Sequence, residues 1–90
     1  MYLYCISSGD LCKFGFSGEP LKRLRALQTG SGTALTLVHT VLVEDHALIR
    51  EYERVLHKEI GLHRRVRGEW FRIDPESARL LLTWFEIHYL

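Results

Sequence analysis

The chain has 90 residues, 47% hydrophobic and 26% charged, with a formal net charge of +1. That length predicts one domain over 1–90, burying roughly 60–65% of its unfolded surface. The composition excludes a disordered tail, and no apolar run approaches the ~20 residues of a membrane span.

Residues 2–7 and 10–16 are rich in Tyr, Ile, Leu and Phe, and Ser8-Gly9 is a candidate two-residue turn between them. With that loop, Tyr4 faces Lys13 and Cys5 faces Cys12. Period-two alternation then puts Tyr4 and Lys13 on one face of the sheet and both cysteines on the other. Residues 17–20, "SGEP", end the strand and start a helix, with Ser17 as candidate N-cap. Leu21, Leu24 and Leu27 recur at helical spacing, and "TGSG" at 29–32 ends the helix.

Residues 35–43, "LTLVHTVLV", read as a strand covered on both faces. Asp45 caps a helix over roughly 46–60, whose buried arc is Leu48, Ile49, Tyr52, Val55, Leu56 and Ile60. Residues 62–73 read as an irregular basic stretch containing "GEWF". Asp74-Pro75 pairs a cap with a first-turn proline and starts a last helix, with Ala78, Leu81, Leu82, Phe85 and Tyr89 on one face. The expected fold is α+β: a small antiparallel three-stranded sheet flanked by helices, in the order ββαβαα.

Charge is unevenly spread despite the near-neutral total. Lys13, Lys22, Arg23 and Arg25 form one basic cluster, and Arg54, Lys58, Arg64, Arg65, Arg67 and Arg72 another. These are either solvated faces or one basic surface for a polyanion. Glu53 projects beside the buried arc of its helix, where a carboxylate needs a partner, a structural arginine or a divalent cation. His57 lines the same margin one turn on. Trp70 and Phe71 either anchor the basic stretch into the core or stack on bases. The two cysteines read as reduced, packed thiols. They form no zinc-ligand pattern with His39, His46, His57, His63 and His88. Leu80, Trp84 and Ile87 make a second apolar stripe on the last helix, which either covers the sheet more widely or forms a homodimer surface.

"YLY", "KFG", Arg23 ten residues after Lys13, "ExxLH" at 53–57 and "GEWF" at 68–71 occur here in one order and spacing. Together they resemble the GIY-YIG nuclease superfamily. The closest likeness is to its short phage and bacterial branch, in which lysine replaces the second motif's tyrosine. The resemblance spans residues 2 to about 73. It implies that Tyr4 is the tyrosine of the first motif, that Lys13 stands at the second tyrosine, and that Gly15 is that motif's glycine. Arg23 matches the helical arginine, Glu53 the glutamate that binds a single Mg²⁺ or Mn²⁺, and His57 the histidine of the branch pattern. His39 is a looser match to a histidine used by some members. Tyr2 stands where the first motif has glycine, and Gly68 and Glu69 are candidates for shaping the site.

The function implied is metal-dependent hydrolysis of DNA phosphodiester bonds. Tyr4 would activate water with help from Lys13, which can hold a phosphate or favour the phenolate. Arg23 would grip the phosphate and Glu53 the metal. Lys22, Arg25, Arg65, Arg67 and Trp70 are the expected substrate-binding residues. The alternative is a module of the same fold that binds nucleic acid without cutting it. With no membrane span and no leader, the expected location is the cytoplasm.

Overall fold

The computed structural model describes residues 1–61 and 64–90; Leu62 and His63, which fall within the expected irregular stretch, lie outside the described residues. Strands β1 (Tyr2–Ser8) and β2 (Leu11–Ser17) form the expected hairpin, and helix α1 (Pro20–Thr29) follows. Strand β3 (Thr36–Leu42) then leads through a short 3-10 turn at His46–Leu48 into helix α2 (Ile49–Ile60). Two three-residue strands come next, β4 (Arg65–Arg67) and β5 (Trp70–Arg72), and helix α3 (Pro75–Tyr89) closes the chain. The fold is α+β, with five antiparallel strands in the order β3-β1-β2-β5-β4 rather than the expected three. The two added strands come from the stretch expected to be irregular. Gly68, at φ 55, turns the chain between them. Pairing with β2 supplies the hydrogen bonds that strands so short cannot secure alone.

The hairpin loop is Gly9-Asp10, not Ser8-Gly9, because Ser8 pairs with Leu11. Gly9 takes φ 60, which the first position of such a tight turn favours and which costs glycine little. Both strands therefore move by one residue relative to the expected pairing. Tyr4 opposes Gly15, Lys13 opposes Ile6, Cys5 opposes Phe14 and Cys12 opposes Ser7. Loop length is unchanged, so facing is preserved: Tyr4 and Lys13 share one side and the cysteines share the other, each pair diagonal rather than opposed.

The cysteine side carries the main core. Leu3, Cys5, Cys12, Phe14, Val41 and Phe71 pack there against Leu56 and Ile60 of α2 and Ala78, Leu82 and Phe85 of α3. Both cysteines are free and buried, and a hydrogen bond with Cys12, reinforced by burial, pushes the Cys5 thiol far up from its ordinary value. The second side buries Tyr4 and Ile6, beneath α1. His39 pairs with Cys5, so it stands on the core side, away from Tyr4. β3 is an edge strand of mostly half-buried residues, approached by α1 from one face and α3 from the other.

The caps follow the sequence in two of three cases. Asp45 Oδ1 accepts from Ala47 N at 3.0 Å, and Asp74 Oδ2 accepts from Ser77 N at 3.0 Å. Ser17 does not cap α1. Its hydroxyl accepts from Glu19 N at 3.0 Å in the turn before the helix, which then begins at Pro20. α1 buries none of its residues fully, and Leu21 is exposed. On α3, Leu80 and Ile87 are exposed, while Trp84 packs on His88 and Tyr89. No helix among the described residues is long and apolar enough to cross a membrane.

Candidate active site

Tyr4 is 1% exposed despite lying on the thinner side of the sheet. Its ring lies across Gly15 on β2. A Cβ at Gly15 would stand 2.7 Å from the Tyr4 hydroxyl oxygen and 3.0 Å from Oε2 of Glu69. The hydroxyl and the Glu69 carboxylate thus converge over one glycine, which is required there because any side chain would occupy their meeting point.

Glu69 reaches this point from the β4–β5 turn. Its backbone carbonyl accepts from Phe14 N at 3.3 Å, which fixes the turn to β2. Its carboxylate pairs with Lys13 Nζ at 3.3 Å. The Lys13 side chain is only 11% exposed, because Trp70 opposes it on β5 and its ammonium sits 5.6 Å from the indole centre. Such a shielded ammonium needs a counter-charge, and Glu69 provides it. Lys13 is therefore directed at Glu69 rather than straight at Tyr4.

β5 pairs with β2 only from Leu11 to Lys13. Among the described residues, β2 has no further strand partner on that side from Gly15 onward. A cleft at the Phe16 end of β2 is lined by Met1 and by Ile49, Arg50, Glu53, Arg54 and His57 of α2. Glu53 is half-buried and has no ion-pair partner among the described residues. His57 packs its ring 5.1 Å from Phe71, and its Nε2 is buried without a hydrogen-bond partner. Arg23, exposed on α1, approaches Tyr4 from the other direction.

These charges compete for one hydroxyl. Burial pushes the Tyr4 phenol above its ordinary value of 10.0, and the carboxylates of Glu69 and Glu53 push the same way. The Arg23 guanidinium beside it pulls down but does not prevail. Tyr4 thus holds its proton more firmly than a free tyrosine, with burial the main cause.

The donor set has a definite chemistry. Among the described residues no group of three or more His, Cys, Asp or Glu could enclose a metal ion. Glu53, which shares its cleft with Arg50 and Arg54 but pairs with neither, is a single carboxylate that fits Mg²⁺ or Mn²⁺. Such hard ions keep most of their waters and take one or two carboxylates together with substrate phosphates.

Arg23, Glu69 and Glu53 thus all lie near enough to Tyr4 for their charges to act on its hydroxyl, and Lys13 joins them by its pair with Glu69. His57 borders the same group. The other residues expected to bind substrate are more scattered. Lys22 pairs with Glu19 at 3.8 Å, and with Arg25 it lines a separate slot beside α1. Arg67 pairs with Trp70, on the Lys13 side of the sheet, whereas Arg65 pairs with Phe71 and its Nε donates to the Gly68 carbonyl. Trp70 is half-buried against Lys13, and Phe71 is in the core.

Glu69 is the residue whose weight the sequence understated. Its only signal was its place beside a glycine inside an aromatic, basic segment.

Among known families, the model of the T5orf172 domain matches residues 1–86. No curated protein and no solved structure matches the chain.

Proposed function

The chain belongs to the T5orf172 domain family, and on that premise we propose that it is a GIY-YIG-type endonuclease, hydrolysing DNA phosphodiester bonds with Mg²⁺ or Mn²⁺. The observation that supports this reading is that the Tyr4 hydroxyl, which meets Glu69 of the Lys13–Glu69 pair over Gly15, also feels the charges of Arg23 and Glu53. Binding alone has no need of carboxylates where a phosphate must sit. Hydrolysis needs them, to hold a metal and manage protons.

Arg23 binds the scissile phosphate with its planar fork and stabilises the extra negative charge of the pentavalent state. Glu53 would hold the divalent cation, which when bound would supply Lewis-acid stabilisation. His57 lines the same cleft as Glu53, one helical turn on, and its role there would be to shape that margin of the site. Tyr4 takes the proton of the attacking water, and the resulting hydroxide displaces the leaving oxygen at phosphorus. The phenol must first lose its own proton, to solvent, before it can accept one from the attacking water. Two of the three influences that hold it are carboxylate charges, and cations on those carboxylates weaken both. Lys13 already pairs with Glu69, and Glu53 would lose its influence on Tyr4 once its charge was neutralised.

The raised pKa of Tyr4 also favours a second reading, a nucleic-acid-binding module of the same fold that does not cut. Supercoiled plasmid separates the two. The endonuclease nicks it with Mg²⁺ or Mn²⁺, stops with EDTA, and loses activity in Glu53→Ala and Tyr4→Phe. If both variants cut like the wild type, with contaminating nucleases excluded, the assignment of residues fails. A binder leaves the plasmid intact, and its affinity falls steeply with salt.

A further inference from the structure

An open slot of about 570 Å³ lies between α1 and the β1–β3 side of the sheet. Tyr2, Leu37 and Thr40 line it from the strands, and Pro20, Leu21, Lys22 and Arg25 from the helix, with Glu19 just before it. None of these residues takes part in the chemistry proposed above. The volume falls in the range of small-ligand sites, roughly 300–1,000 Å³.

Its relation to Tyr4 is set by the sheet. Thr40 is the β3 partner of Tyr4 and Gly15 its β2 partner. The Tyr4 ring covers the Gly15 side, which leaves the Thr40 side to the slot. Tyr2 follows two residues along the same face, about 6.8 Å away at ~3.4 Å per residue. It is 37% exposed, so one part of its ring is anchored and another is presented. Leu21 is 59% exposed, which is unusual for the leucine of a helix face that borders a sheet.

The slot is mainly apolar and joins cations on α1. Arg25 has no ion-pair partner among the described residues. Lys22 meets only Glu19, and both side chains are 73% exposed. An aromatic wall with aliphatic neighbours and a free guanidinium suits a flat π-face joined to a phosphate.

Resting on the phosphodiesterase reading of the adjacent site, we propose that this slot receives an unpaired nucleobase neighbouring the scissile phosphate, stacked on Tyr2, with Arg25 on the flanking phosphate. Stacked bases lie only ~3.4 Å apart along a strand. In a duplex both faces of a base are covered by its stacked neighbours, so a base stacks on Tyr2 only by leaving that stack. The favoured substrate is thus DNA with an unpaired nucleotide, single-stranded or extrahelical, and not a continuous duplex.

The test uses the Glu53→Ala chain and two oligonucleotide duplexes, one with a single unpaired 2-aminopurine and one with the same base paired. The unpaired probe should bind at least about fivefold more tightly, the lower end for one aromatic–base stack, with its fluorescence quenched. Tyr2→Phe should keep both effects and Tyr2→Ala should lose both, with melting curves showing that each variant folds. Equal binding of the two probes without quenching overturns the slot, as does an intact preference in Tyr2→Ala. Preference and quenching in a chain whose wild type never cuts DNA support the slot and overturn the nuclease reading. Metal-dependent cutting with no preference between the probes does the reverse.

Discussion

The Tyr4 hydroxyl lies so close to Gly15 that a Cβ there would stand 2.7 Å from its oxygen. The same Cβ would be 2.9 Å from Cζ of the buried ring, which has little freedom to give way. Gly15→Ala should therefore destabilise the fold by about 1–3 kcal/mol, the range for overpacking a core. It should also displace Tyr4 and remove nicking activity. Melting temperature and plasmid nicking check the two effects separately.

Glu69 should tune the pH dependence of the reaction. Its negative charge helps to hold the proton on Tyr4, so Glu69→Gln should lower the Tyr4 pKa. If Tyr4 acts as the phenolate, the rising limb of the pH–rate profile moves to lower pH. The variant also leaves Lys13 without its carboxylate partner, although the Trp70 contact remains. Melting temperature should fall while the fold persists. A profile that stays in place in a folded variant would separate Glu69 from the proton transfer.

Tyr4 should also shape alkaline stability. Its folded pKa is raised above 10.0, so the folded state keeps the proton longer than the unfolded chain does. Its contribution is fully present below pH 10.0 and is lost as pH rises toward the folded value. Tyr4→Phe should therefore flatten the alkaline loss of stability above that pH, as measured by urea denaturation at a series of pH values.

Arg23 is assigned to the phosphate through a planar, two-point grip. Arg23→Ala should reduce the rate by roughly 10²–10³, as for loss of one transition-state donor. Arg23→Lys should recover little, since an ammonium cannot make the same fork. The residue is exposed on a helix that buries nothing fully, so both variants should melt close to the wild type.

Asp74 accepts from the backbone and the hydroxyl of Ser77, which holds its carboxyl below the usual value of 3.8. A depressed folded pKa adds stability above 3.8 that is lost as pH falls. Asp74→Ala should lower the melting temperature near neutral pH and lessen its dependence on acid.

Much of the site was legible because it depends on parity and local spacing. Alternation alone put Tyr4 and Lys13 on one side of the hairpin, and this survived a loop one residue away from the expected one. The 3.6-residue period put Glu53 at the margin of a buried arc. The contribution of Glu69 had no such signal. It lies far along the chain from Lys13, in a turn whose strands are too short and too charged to show a period. Those strands exist because the edge of β2 accepts them.

The sequence by itself determined the order of the long elements, the side of the sheet each hairpin residue faces, and two helix caps. Each of these depends on neighbours a few residues away. Only the tertiary structure decided that Lys13 is paired with Glu69 and that the Tyr4 ring lies on Gly15. It also decided that β2 is left open beside Glu53 and that the Tyr4 proton is held. Those outcomes depend on burial and on charges brought together from separate strands and helices, and local spacing carries no record of either.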